Sequence, residues 1–135
     1  MKRKAMVCLL CLLLLLPAAC ADTRSGQNGQ VQESGYEQIS QEEAKELMDT
    51  REDALVLDVR TEAEYEEAHI PGAVCVPNES IQDTMPEELP DKEQLILVYC
   101  RSRNRSKQAA EKLANLGYTN VMEFGGINTW PYETE

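Results

Sequence analysis

The sequence predicts an α/β domain in three layers, a largely parallel central sheet flanked by helices. Two observations carry this reading. Short apolar runs of strand length alternate with segments that open on helix-capping residues. The most apolar of the runs in the body of the chain, Leu95 to Val98, leads directly into a helical pattern. That order is the signature of strand–helix–strand units, which bind ligands outside the carboxyl ends of their strands.

The first segment stands outside that domain. Lys2, Arg3 and Lys4 precede an uncharged, leucine-rich run of 12 residues, Ala5 to Leu16, which is followed by Pro17, Ala18, Ala19 and Cys20. A positive start, a short apolar run and small residues describe a secretory signal peptide over residues 1–19. A spanning helix needs roughly 18 or more apolar residues, so this run is short for one. Residues 20–35 are polar, with Ser25, Gly26, Asn28, Gly29, Ser34 and Gly35, and are expected to form a flexible linker.

The domain is expected over residues 36–135. Ser40 and Glu43 form an S-x-x-E capping box that opens a helix through Leu47. Leu55 to Leu57 is a buried strand ending at Asp58, and Thr61 with Glu64 caps a second helix reaching about Ala68. After the turn at Pro71 and Gly72, Ala73 to Val76 is strand-like. Leu95 to Tyr99 is the main strand, and a helix from about Arg105 to Leu116 closes on Gly117. Asn120 to Phe124 is a strand stopped by Gly125 and Gly126, and Ile127 to Trp130 forms a last helical turn. Phe124 and Trp130 are expected in the core.

With 24 acidic and 13 basic residues, the chain carries a net charge of −11. This excludes general nucleic-acid binding, which depends on neutralising phosphates. Loss of Lys2, Arg3 and Lys4 before Cys20 takes the charge to −14. Of five cysteines, Cys8 and Cys11 lie in the leader and Cys20 at its end, leaving Cys75 and Cys100 in the domain. Two cysteines make no disulfide framework. With one histidine, His69, and no CxxC pair in the domain, a structural zinc site is not expected.

Chemistry concentrates at Tyr99-Cys100-Arg101-Ser102-Arg103-Asn104-Arg105-Ser106-Lys107, where four cations fall in seven positions of an acidic domain. Cys100 follows the main strand and precedes a helix. A helix N-terminus, nearby arginines and a loop curling its N–H groups inward all favour a thiolate. Cysteines so placed ionise well below their ordinary pKa of about 8.5. Cations at a helix start oppose its dipole, so an anion is expected to compensate, either a thiolate or a bound oxyanion. Asp58 and Arg60 are expected to support the loop, Asp58 by accepting hydrogen bonds and Arg60 by pairing with an acid. His69 and Cys75 are expected to be structural, as a turn histidine and a packed thiol.

These residues resemble the single-domain rhodaneses. Cys100 to Arg105 has the spacing C-x4-R of that family's active loop; Leu57-Asp58-Val59-Arg60, His69-Ile70-Pro71-Gly72-Ala73 and the segment from Gly117 to Trp130 resemble its other motifs in order. The resemblance spans Tyr36 to Tyr132. It implies a rhodanese-like fold and a sulfurtransferase with Cys100 as nucleophile, passing sulfur from a small anionic donor such as thiosulfate to cyanide or a thiol through a persulfide. Arg101, Ser102, Arg103, Asn104, Arg105 and Ser106 would bind donor and persulfide, with no metal and no organic cofactor. Arg103 departs from the family, which often has glycine there. The small residues before Cys20 likewise resemble a bacterial lipoprotein signal, implying lipidation of Cys20 and a membrane anchor facing the extracytoplasmic side. Pro17 departs from the leucine usual at its position, and ordinary cleavage before Asp22, giving a secreted protein, is the alternative. Two other functions stay open: a phosphatase or arsenate reductase, whose loop in the related cell-cycle phosphatases is one residue longer, and a non-catalytic anchored binding module.

Overall fold

The computed structural model describes residues 35–135. The expected signal peptide, the lipidated Cys20 and all of the linker but Gly35 lie outside the described residues.

Eight elements follow in chain order: β1 (Glu37–Gln38), α1 (Gln41–Thr50), β2 (Leu55–Asp58), α2 (Glu62–Glu67), β3 (Val74–Cys75), β4 (Ile96–Cys100), α3 (Asn104–Asn115) and β5 (Val121–Gly126), with short 3-10 turns at Asn78–Ser80 and Ile127–Thr129. All strand pairs are parallel, in the order β1-β5-β4-β2-β3. The expected fold class therefore holds.

Both capping boxes form as expected. The Ser40 and Thr61 hydroxyls accept from the N–H groups of Glu43 and Glu64, and each glutamate side chain accepts from the backbone of its cap. Gly117, at φ 95°, follows α3 in the left-handed conformation that a side chain resists.

Side-chain alternation divides the strands between two cores. On one face, Leu57, Val59, Ile96, Val98 and Cys100 pack beneath Ala109, Ala110 and Leu113 of α3. On the other, Val56, Leu97, Tyr99 and Phe124 pack with Ala44 of α1, Trp130, and the partly buried Tyr65 of α2. These are the three layers. β4 is buried along its whole length, which explains why its sequence is a continuous apolar run.

Two local expectations are corrected, and one strand had none. β5 does not stop before Gly125 and Gly126 but runs through both, since Gly126 pairs with Cys100 after a register shift in which β5 advances by one extra residue. β3 is two residues, narrower than Ala73 to Val76. β1 was not foreseen: two exposed polar residues carry no apolar pattern, and the strand exists because β5 offers it an edge.

Candidate active site

β4 delivers Cys100 to the carboxyl end of the sheet with 1% of its surface exposed. The chain then turns through residues 101–103 and enters α3 at Asn104. The turn is tight because Arg103 takes φ 81°, the left-handed region, as the residue preceding the helix. This brings the Arg103 backbone N–H to 3.1 Å from Cys100 Sγ. In the first turn of α3, the Ser106 hydroxyl stands 3.4 Å from the same sulfur. The sulfur thus sits at a helix N-terminus, in contact with one backbone N–H and one hydroxyl. β5 closes the loop from outside. A Cβ at Gly126 would lie 2.2 Å from the Arg101 carbonyl oxygen, a distance only glycine permits.

The loop cations are not all free. Arg105 forms a two-pronged pair with Glu64 of α2, Nη1 to Oε2 at 2.7 Å and Nη2 to Oε1 at 2.8 Å. That hydrogen bonding, with help from Thr61 and against the effect of burial, holds the Glu64 carboxyl down to about 2. Arg103 turns its Nε to Glu123, at 3.1 Å from Oε2. The expectation that a thiolate or bound oxyanion must balance the cations is therefore corrected in part: two of the protein's own acids, brought from α2 and β5, balance two of them. Arg101, Ser102 and Asn104 are exposed, and Arg101 forms no ion pair among the described residues. Arg101, Ser102 and Arg103 also line a cavity of about 360 Å³, together with Ile39 and Phe124.

Beneath the loop, Asp58 and Arg60 pair with each other, with Nη2 to Oδ2 at 2.6 Å. The Tyr99 hydroxyl donates to Asp58 Oδ2 at 2.6 Å, and the Ile70 N–H donates to that hydroxyl. Burial, and then Asp58, push the Tyr99 phenol up. The network anchors the residue before Cys100 on the opposite face of the sheet from the sulfur.

A family model described as "Rhodanese-like domain" matches residues 40–132, well over half of the chain. The chain belongs to the rhodanese family. The thiosulfate sulfurtransferase GlpE of Coxiella burnetii is 38% identical over 96 residues, 70% of this chain and 87% of the relative. The thiosulfate sulfurtransferase PspE of Escherichia coli is 35% identical over 71 residues, 53% of this chain and 68% of the relative. Among solved structures, one titled "rhodanese with anions from E. coli" matches with a TM-score of 0.56 at 30% identity, covering 61% of this chain and 96% of that one. These likenesses support sulfurtransferase chemistry in general.

The expected structural residues Cys75 and His69 make no hydrogen bond to Cys100. Cys75 pairs in register with Asp58, which pairs with Tyr99, so its side chain shares their face and not that of Cys100. Burial, then Asp58 and Glu62, push its thiol up to about 11. The His69 ring stacks on Tyr65 with centroids 3.8 Å apart. Its Nδ1 lies 2.9 Å from the Tyr65 carbonyl oxygen and its Nε2 3.5 Å from Glu135.

Two residues at the site went unnamed as such by sequence reasoning, Glu123 and the second role of Glu64. Glu123 did leave a signal, a lone charge inside the apolar run Val121 to Phe124. Glu64 left none beyond its capping box, because its partner lies 41 positions away.

Proposed function

We propose that this chain is a sulfurtransferase that moves sulfane sulfur from thiosulfate or a similar anionic donor to a thiophilic acceptor through a Cys100 persulfide. The observation that carries the reading is the position of Cys100 Sγ. It lies at the start of α3, 3.1 Å from the Arg103 N–H, inside a C-x4-R loop. A site of that kind stabilises negative charge on sulfur.

In the first step the Cys100 thiolate attacks the outer sulfur of the donor. The donor S–S bond breaks, sulfite leaves with the electron pair, and Cys100 becomes a persulfide. In the second step cyanide or a thiolate attacks the outer sulfur, and the Cys100 thiolate is restored. Backbone N–H groups from Arg101 to Ser106 hold the terminal charge of the persulfide. Arg101, exposed beside the sulfur and in no ion pair among the described residues, attracts the donor, since Arg103 and Arg105 are engaged by Glu123 and Glu64. Asp58 and Arg60 support the loop through Tyr99.

The names of GlpE and PspE support thiosulfate as donor. The leader supports export: residues 1–19 as signal peptide, Cys20 as a lipid-bearing first residue, 20–35 as tether and 36–135 as the rhodanese domain at the outer face of the cell membrane.

Steady-state kinetics with thiosulfate and cyanide test the reaction. Double-reciprocal plots are expected to give parallel lines, and the activity is expected to vanish in Cys100→Ser. Phosphate-monoester hydrolysis without thiosulfate turnover would overturn the reading.

A further inference from the structure

Glu123 is fully buried, yet it is a carboxylate in the middle of β5. A buried acid is strongly destabilising unless its oxygens are matched by donors. Here every donor comes from the Cys100 loop or the strand end facing it. Oε1 receives the Ser106 hydroxyl at 2.7 Å and the Gly125 N–H at 2.8 Å, and Oε2 receives Arg103 Nε at 3.1 Å. Two of these three residues, Arg103 and Ser106, also touch Cys100 Sγ.

Ser106 has one proton and four neighbours able to take it: Glu123 Oε1 at 2.7 Å, the Arg103 carbonyl oxygen at 3.0 Å, the Gly125 carbonyl oxygen at 3.4 Å and Cys100 Sγ at 3.4 Å. The shortest of these bonds is also the one to a charged acceptor, and such bonds are roughly twice as strong as neutral ones. The proton therefore rests on the Glu123 side. Ser106 shows the sulfur a lone pair, which suits a thiol that donates its S–H and opposes a thiolate.

Resting on Cys100 as the nucleophile, we propose that Glu123 is a positioning residue for Cys100 that acts through Ser106, by holding the hydroxyl proton away from the sulfur until the thiol ionises. When the thiol proton passes to water, the Ser106 hydroxyl rotates. It breaks its bond to Glu123 and donates to the thiolate, and no other covalent bond changes. Glu123 keeps the Gly125 N–H and the Arg103 guanidinium, so its charge stays matched in both states. Glu123 and Ser106 together set how readily the nucleophile forms.

The test is the pH profile of iodoacetamide alkylation of the full chain, followed at Cys100 by peptide mass spectrometry. Glu123→Gln weakens the hold on Ser106 and removes a negative charge near the sulfur, so its midpoint is expected to fall by about one pH unit, tenfold in thiolate fraction at fixed pH. In a Ser106→Ala background the same change is expected to shift the midpoint by less than half as much, because the route through the hydroxyl is gone. Glu123→Asp keeps the charge beside Arg103 but is one methylene too short for Ser106. It is expected to give a smaller downward shift and serves if Glu123→Gln does not fold. A midpoint unchanged or raised in the folded Glu123 variants, or an equal shift with and without Ser106, overturns the proposal. A merely structural glutamate would lower the rate at every pH without moving the midpoint downward. Alkylation needs no sulfur donor, so failure of the wild-type chain to take sulfur from thiosulfate would sink the sulfurtransferase reading alone.

Discussion

Arg103 holds φ 81° without being glycine, a conformation that costs an L-residue about 1–2 kcal/mol. Its side chain offsets that cost by supplying the cation that buried Glu123 needs. The two contributions separate by substitution. Arg103→Ala keeps the strained backbone and strips Glu123 of its cation. It is expected to destabilise the domain by roughly 1–3 kcal/mol, water reaching the site in part because the arginine is half-exposed. Arg103→Gly loses the same ion pair but relieves the backbone, and should be about 1 kcal/mol more stable than Arg103→Ala. Urea unfolding of the two variants checks this, and equal midpoints would show that the left-handed turn carries no strain. The departure from the family's glycine was legible in the sequence, as a puzzle. Its resolution was not, because Arg103 and Glu123 lie 20 positions apart and no local pattern joins them.

Among the elements, β5 and the Cys100 loop approach backbone to backbone at Gly126. Gly126→Ala places a methyl group 2.2 Å from the Arg101 carbonyl oxygen. Neither backbone can yield without moving the loop, so a loss of roughly 1–3 kcal/mol or more is expected, together with loss of sulfur loading on Cys100. Calorimetry and loading measured side by side decide it, and an unperturbed loop would show as wild-type loading. α2 and α3 are joined by Glu64 and Arg105. Because the Glu64 carboxyl is depressed from 4.5 to about 2 in the fold, its contribution to stability is present above pH 4.5 and is lost as pH falls toward 2. Glu64→Gln is therefore expected to be less stable than wild type at neutral pH and to converge with it in acid. A gap between the two urea midpoints that stays constant over this range would contradict the assignment. The helices themselves were readable, since both capping boxes are local patterns of four residues. Long apolar strands were readable too. β1 was hidden because its exposed Glu37 and Gln38 are ordered by a partner strand, and the length of β5 because Gly126 pairs across to Cys100 of β4.

At the scale of the whole molecule, an acidic domain presents one positively charged loop at the carboxyl end of a parallel sheet. The order of elements and the position of Cys100 followed from periodicity and from strand–helix alternation. The balance of charge around Cys100 did not, because Glu64 and Glu123 reach it only after the sheet and helices have assembled. The proposed export leader calls for its own test. Expressed with residues 1–19 present, the protein is expected in the membrane fraction, and Cys20→Ser is expected to lose lipid labelling and to leave that fraction. An unlabelled wild-type protein cleaved before Asp22 would favour secretion. The central claim is that Cys100 carries sulfur, and intact-protein mass spectrometry after exposure to thiosulfate tests it most directly. The account predicts a gain of one sulfur atom on the wild-type protein, absent in Cys100→Ser and removed by cyanide. A wild-type protein that gains no mass while Cys100 remains open to alkylation would contradict it.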